Sequence, residues 1–389
     1  MTLCLSDVKA LLDGWYDPGT AESWDAVGLV CGDPDQPVAK VLFAVDPAPA
    51  VVEEAAAWGA DLVVVHHPLL LTAVHGVAAT TPKGRLVHRL VRSGTALLTA
   101  HTNADLPADG VNESLARAVG IVDPQVVEAA PGAVPALDKL VVFVPHEHAD
   151  AVRAALAAAG AGVLGDYDSC TFTSTGEGRF RPLDGATPAI GRVGDVEVVP
   201  EARVETVFAR HLRRDVVAAM KAAHPYEEVA YDVLELAAVP GDQAPSRGHG
   251  RIGRLASPTT LRGFAERVAT ALPRTAHGVR VAGDPDRPVE TVVVGSGAGD
   301  YLLDTVLGTD ADVYLTSDLR HHRAGEFLEH GGPALVDVAH WAAEWTWLPV
   351  VEAKLRAAVA ATGDTVDTRV SEVVTDPWTF RTDHPTSRP

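Results

Sequence analysis

The feature that most limits what this chain can fold into is an internal repeat. Residues 30–38, VCGDPDQPV, recur as VAGDPDRPV at 281–289, which is 251 residues further on. At the same offset VLFAV (41–45) meets VVVGS (292–296), and ADLVVV (60–65) meets ADVYLT (311–316). The register then slips, and TALLTAHTNAD (95–105) finds its counterpart in PALVDVAHWAAE (333–344), pairing His101 with His340. In each copy that histidine is followed four residues later by a carboxylate, Asp105 or Glu344. Chance does not readily give one offset to three separate segments, so the repeat predicts two similar lobes.

Within each copy, short β-branched runs alternate with Ala- and Leu-rich helical patterns, as at 41–45, 50–58, 61–65, 83–92 and 95–99. That order of strand, helix, strand, helix, strand predicts a largely parallel α/β sheet in each lobe. The middle of the chain differs in character. DKLVVFVP, VETVFA and VAYDVLELA read as strands, and EHADAVRAALAAAG and LRRDVVAAMKAAH as helices. A β-α-β-β-α-β order of this length predicts a ferredoxin-like α+β module inserted between the lobes. The Pro- and Gly-rich stretches EAAPGAVPA and VPGDQAPSRGHG mark its borders. The expected division is lobe one at 1–134, the inserted module at 135–242, lobe two at 243–380 and a disordered tail at 381–389. The tail, RTDHPTSRP, has too few apolar residues to pack.

Composition narrows the function classes. The 389 residues carry a formal net charge of −20, which argues against a nucleic-acid partner because phosphate contacts need a basic face. Cys4, Cys31 and Cys170 lack CxxC spacing and are odd in number, as expected of reduced thiols in a cytoplasmic protein. The start, MTLCLSDVKALLDGWYD, reads as an amphipathic helix capped near Ser6, with Val8, Leu11, Leu12 and Trp15 on one face. It lacks the layout of a secretory signal, and no apolar run is long enough to span a membrane.

The chemistry concentrates where predicted strands end. DLVVVHHPLLL (61–71) closes a buried-strand pattern on His66 and His67. His101 with Asp105, and His340 with Glu344, follow two further strand runs. Ligands of open α/β sheets gather at the carboxyl ends of the strands, so three ends could serve one place. Histidine with carboxylate suits zinc, manganese or iron. Neighbours in an extended chain point apart, which predicts that His66 and His67 serve two adjacent ions, one each. His340 and Glu344 share a face if a helix starts there, and a carboxylate can bridge two cations.

Taken in order, SWDAVGLVCGD (23–33), VVVHHPLL (63–70), AHTNADLPADGVNESLARAVG (100–120), YLTSDLRHH (314–322) and DVAHWAAE (337–344) resemble the Nif-three-like dinuclear metal-centre family. Many of its members are labelled GTP cyclohydrolase 1 type 2 homologues. HPYEEVAYDV (224–233) resembles the signature of its longer bacterial form, whose extra module is similar to PII and CutA proteins. The resemblance implies His66, His67, Asp105, His340 and Glu344 as ligands of two divalent ions, with Glu344 as the bridge. It implies a substrate or outer role for His101, Asp318 and His322, and a toroidal homohexamer. Ser317 and His321 depart from the family pattern, which has a glycine and an aromatic there.

Two cations sharing a carboxylate can acidify a bridging water, so the expected reaction class is metal-assisted hydrolysis. With a purine nucleotide such as GTP, hydroxide attack at C8 would open the imidazole ring and release formate. Arg320 and Arg323 are the nearest cations in sequence for a triphosphate. A phosphoesterase or amidohydrolase on another small molecule, and a non-catalytic metal-binding regulatory scaffold, stay open as alternatives. VVVGSGAGD (292–300) lacks the last glycine of the dinucleotide spacing and reads as a tight turn, on whose helix a phosphate could rest. HPYEE reads as a structural turn, and Trp24 and Asp25 as anchors of the first lobe, Asp25 within possible reach of the cleft.

Overall fold

The computed structural model describes residues 3–131, 133, 136–237, 245 and 247–382. The borders of the middle segment fall partly outside these residues, and the tail does so from residue 383 on. The chain forms two compact units, one from 1–130 with 245–389 and one from 131–244. Among the described residues no helix is long and apolar enough to cross a membrane.

The first unit opens with a helix at Leu5–Trp15 that buries Leu5, Val8 and Leu12. Its cap is Cys4 rather than Ser6, because the Cys4 amide donates to Asp7 Oδ2 at 2.9 Å. Four strands follow: β1 (Gly28–Cys31), β2 (Lys40–Ala44), β3 (Leu62–Val65) and β4 (Ala96–Thr99). β2, β3 and β4 run parallel, and β1 lies antiparallel to β4. Every residue of β3 is buried. Leu62 and Val64 face the central core, while Val63 and Val65 pack with residues of the helices at 49–58 and 82–93. A strand covered on both faces needs no polar alternation, which is why LVVV is continuous. β5 (Ile121–Ala129) then joins a second sheet.

The 131–244 unit holds β6 (Leu137–Pro145), β7 (Thr171–Phe180), β8 (Glu197–Ala209) and β9 (Tyr231–Glu235), in the order β7-β8-β6-β9 with every pair antiparallel. Helices at 149–158 and 213–223 contribute Val152, Leu156, Val216 and Met220 to a core with Leu140, Val142, Ala202 and Val204.

Back in the first unit, β10 (Gly248–Thr260), β11 (Val279–Ala282), β12 (Pro288–Ala298), β13 (Val313–Ser317) and β14 (Ala334–Val338) build the second sheet. Its order is β11-β14-β13-β12-β10-β5, and β15 (Asp367–Val370) returns to pair with β2 of the first sheet. The run β11-β14-β13-β12 has the strand order and directions of β1-β4-β3-β2. The sheets are mixed rather than wholly parallel. The edge strands β1 and β11 and the long pair β5 and β10, which flank the 131–244 segment, run antiparallel to their neighbours. One core joins the two sheets, with Phe43, Val64 and Leu98 from the first meeting Val294, Leu315 and Val336 from the second. Trp347 sits in it fully buried, its indole N–H donating to the Tyr16 hydroxyl at 3.0 Å.

Candidate metal centre

The carboxyl ends of the parallel strands in both sheets converge on one cluster. Asp46 follows β2, His66 and His67 follow β3, and His101 follows β4 ahead of a short helix, Thr102–Asp105. From the second sheet, Asp318 follows β13, and the helix His340–Trp345 starts two residues after β14. That helix puts His340 and Glu344 on one face, with Nε2 of His340 2.9 Å from Glu344 Oε1.

Each of the four histidines has its Nδ1 committed. His66 Nδ1 lies 2.9 Å from the Ala100 carbonyl, His67 Nδ1 2.7 Å from Asp46, His101 Nδ1 2.8 Å from Asp25 and His340 Nδ1 2.8 Å from Asp318. An acceptor at Nδ1 holds the proton there and turns Nε2 towards the cluster, as ligand histidines require. Nε2 of His67 is 2.9 Å from Glu344 Oε2 and 3.3 Å from Nε2 of His340. Nε2 of His66 is 3.4 Å from Glu344 Oε1 and 3.7 Å from Asp105 Oδ1.

Two sets of possible ligand atoms lie within 4.8 Å of one another: His66, His67 and His101, and His67, His340 and Glu344. Among the described residues, His66 Nε2 and Asp105 Oδ1 are buried without a hydrogen-bond partner. Buried polar atoms left this way are costly, and a cation between them would satisfy both. The residues present therefore fit a metal ion, and the cluster could hold one.

The electrostatics agree. Glu344 is almost fully buried; burial opposes its charge, but His340, His67 and His66 outweigh that and hold it well below the usual carboxylate range. Glu344 is the main influence that pushes His340 up to about 11, with burial opposing. At His67 burial favours the neutral ring, yet Glu344 and Asp46 carry it up to about 10. Burial first, then the charge of Glu344, raises Asp105 to about 7. Without a metal, these shifts favour protons on His67 and His340.

Close backbone approach completes the site. Gly297, in the VVVGSGAGD segment, has φ +68°, and a Cβ there would lie 3.0 Å from Glu344 Oε1. Asp318 also has positive φ, 56°, in the conformation that Asp tolerates better than most residues. Ser317, still in β13, is not a left-handed position, so its backbone does not require a glycine.

The expected divergence of His66 and His67 is not observed. β3 stops at Val65, both histidines lie in a bend, and their ring centroids are 5.2 Å apart. Strand alternation no longer governs side chains once the chain bends. His101 stands with His66 and His67 as a third imidazole, its ring 5.0 Å from that of His66. Asp318 orients His340, and Asp25 orients His101. His322 is exposed, its ring against His321, and Arg320 is held by Asp300 with Nε at 2.6 Å. Arg323 donates to the Asp300 carbonyl at 3.2 Å. Sequence reasoning missed Asp46, although it too closes an apolar strand run, VLFAVD.

The sequence profile of DUF34/NIF3 (NGG1p interacting factor 3) matches residues 3–377. The chain belongs to the DUF34/NIF3 family. Relatives named GTP cyclohydrolase 1 type 2 homolog include one from Mycobacterium tuberculosis, 51% identical over 100% of this chain and 99% of its own. Another, from Bacillus subtilis, is 39% identical over 92% of this chain and 93% of its own. A solved Bacillus cereus protein related to NIF3 superposes with a TM-score of 0.71 at 35% identity, covering 98% of this chain and all of that one.

Proposed function

We propose that this DUF34/NIF3 chain is a dinuclear metal-dependent hydrolase, its ions held by His66, His67, Asp105, His340 and Glu344, with His101 as a further ligand. The observation that carries the reading is the convergence of three Nε2 atoms, those of His66, His67 and His340, each with its Nδ1 committed, on the buried carboxylate of Glu344. Glu344 turns one oxygen to His340 and His66 and the other to His67, so both oxygens would be available to hold ions. Divalent ions here would supply Lewis acidity and a water activated at neutral pH. Zinc, iron and manganese all suit the donor set. Trp347 walls the cluster, its ring 5.6 Å from that of His66, and Asp46, Asp25 and Asp318 keep three imidazoles in position.

Following the printed name of the relatives, the substrate is a purine nucleotide, hydrolysed at the imidazole ring with release of formate. The test is formate release from GTP by protein carrying two metal equivalents. Turnover that disappears on chelation and returns with metal is expected; no formate from fully loaded protein would remove the GTP reading. Turnover of phosphoesters or cyclic amides instead would redirect the reading within hydrolases.

A second expectation concerns protons. His67 and His340 titrate near 10 and 11 in the metal-free site, against about 6.5 when unfolded. Their contribution to metal-free stability is complete below about pH 6.5 and is lost as pH rises through 10 to 11. Metal must displace these protons, so its apparent affinity rises with pH across the neutral range. Calorimetry in two buffers of different ionisation enthalpy should register at least one proton released per chain at pH 7. Zero release would contradict ligation by these two rings.

The ligand set also ties β3 and β4 of one sheet to β14 of the other, which keeps a non-catalytic scaffold as the second reading. On the same family reading, the two sheets descend from one repeated unit and the middle segment is a ferredoxin-like module inserted between them in the order of the chain. The assembly is a cytoplasmic homohexameric toroid without nucleic-acid partners.

A further inference from the structure

In the 131–244 unit, the sheet face that carries Val142, Val144, Ala202 and Val204 packs against the two helices. By strand alternation Phe143, Glu201 and Arg203 stand on the opposite face. Gly176 and Ser174 of β7 pair with Glu201 and Arg203 there. Two loops, 181–196 and 224–230, cover this face and enclose a cleft of about 660 Å³. The HPYEE segment builds its rim. His224 donates from Nε2 to the Phe143 carbonyl at 2.9 Å and accepts the Tyr226 amide on Nδ1 at 3.1 Å. The Thr187 amide donates to Glu227 at 2.8 Å and ties one loop to the other.

Glu201 lies in this cleft and is only 8% exposed. Tyr226 donates its hydroxyl to Oε1 at 3.1 Å. Burial and the nearby carboxylate push the Tyr226 pKa up, so the phenol stays a donor. Oε2 lies over Gly178, where a Cβ would be 2.2 Å away, and no hydrogen bond reaches it among the described residues. The surrounding arginines do not neutralise it. Arg179 is held by Glu177 at 2.7 Å, Arg203 by Glu205 at 3.0 Å, and Arg181 is exposed at the mouth. The walls are mainly apolar, and the rings of Phe180 and Tyr226 stand 5.6 Å apart.

We infer that this cleft binds a small organic cation, an ammonium, amidinium or guanidinium group on an apolar or aromatic body. A buried carboxylate with a single neutral donor is under-compensated, and a cation there restores the balance. The two aromatic rings add a face that attracts positive charge. The volume falls within the range of small-molecule sites. The cleft shares no residue with the metal centre, so the inference stands independently of the proposed hydrolase.

Benzamidine, benzamide and benzoate form a charge series of nearly constant shape for the test, measured on the full chain by ligand-observed NMR and calorimetry. Benzamidine should bind with a Kd of about 1 mM or tighter, as a fragment of its size allows. Benzamide should bind at least tenfold more weakly, and benzoate not at all. Glu201→Gln should weaken benzamidine tenfold or more while metal content is unchanged. Equal binding of benzamide and benzamidine, undiminished binding by folded Glu201→Gln, or no benzamidine binding would each overturn the assignment. If Glu201→Gln fails to fold, the charge series on the unaltered chain decides.

Discussion

If the proposed dinuclear centre is right, Glu344→Gln is expected to reduce the metal content from two ions per chain to one or none, measured by mass spectrometry of the desalted protein. Glutamine keeps the shape of the side chain but replaces one oxygen by an N–H₂ donor and removes the charge. Three Nε2 atoms lie within 3.4 Å of this carboxylate, so each loses the counter-charge around which it is arranged. Changes to residues that merely orient metal ligands cost about 10–100-fold in affinity, and loss of the shared carboxylate should exceed that, by roughly 10³-fold. Hydrolytic turnover should fall with it. The fold should survive, because His67 and His340, once their counter-charge is gone, can release their protons and stay neutral. Two tightly held ions in Glu344→Gln would show that the bridge lies elsewhere.

Arg251→Met should be the most destabilising single change near the site. Arg251 is 1% exposed on β10 and serves five acceptors. Its guanidinium donates to the carbonyls of Gly248, Gly250 and Leu106 at 2.8 Å, to that of Pro107 at 2.9 Å and to Glu113 at 3.3 Å. Methionine fills the space but removes all five donations, although Glu113 keeps Arg117 and the Leu106 and Pro107 carbonyls keep the amides of Gly248 and Gly110. Breaking a buried, hydrogen-bonded charge pair from one side costs about 3–5 kcal/mol. The melting temperature of the metal-free protein should fall by roughly 5–15 °C. Leu106 and Pro107 directly follow Asp105, so metal affinity should drop as well. Arg251→Lys should recover little, because an ammonium cannot reproduce the planar fork. A melting temperature within about 1 °C of the parent would show that these contacts contribute nothing net.

Much of the framework was legible in the sequence because its signals are local. The run LVVV identifies a strand buried on both faces, and the apolar pattern of the first helix names Val8 and Leu12 as buried residues. His340 and Glu344 could be paired from spacing alone, since i and i+4 share a helix face. Other parts of the site were not legible. That His66 and His67 turn to the same place depends on the chain bending after Val65, and local alternation suggested the opposite. Asp46 lies 21 residues from the imidazole it orients, and Asp25 lies 76 from its own. Arg320, a candidate anion partner by position, turned out to be engaged by Asp300.

The sequence by itself determined which residues end strands, which share a helix face, and which family the chain joins. The first two follow from periodicity and short spacing, interactions that act within a few residues, and the family from its motifs taken in order along the chain. Only the tertiary structure decided which strand ends meet, which acceptor holds each Nδ1, and which buried oxygens lack a partner. Those depend on contacts across up to 278 residues of chain, as between His66 and Glu344, and no local rule carries that information.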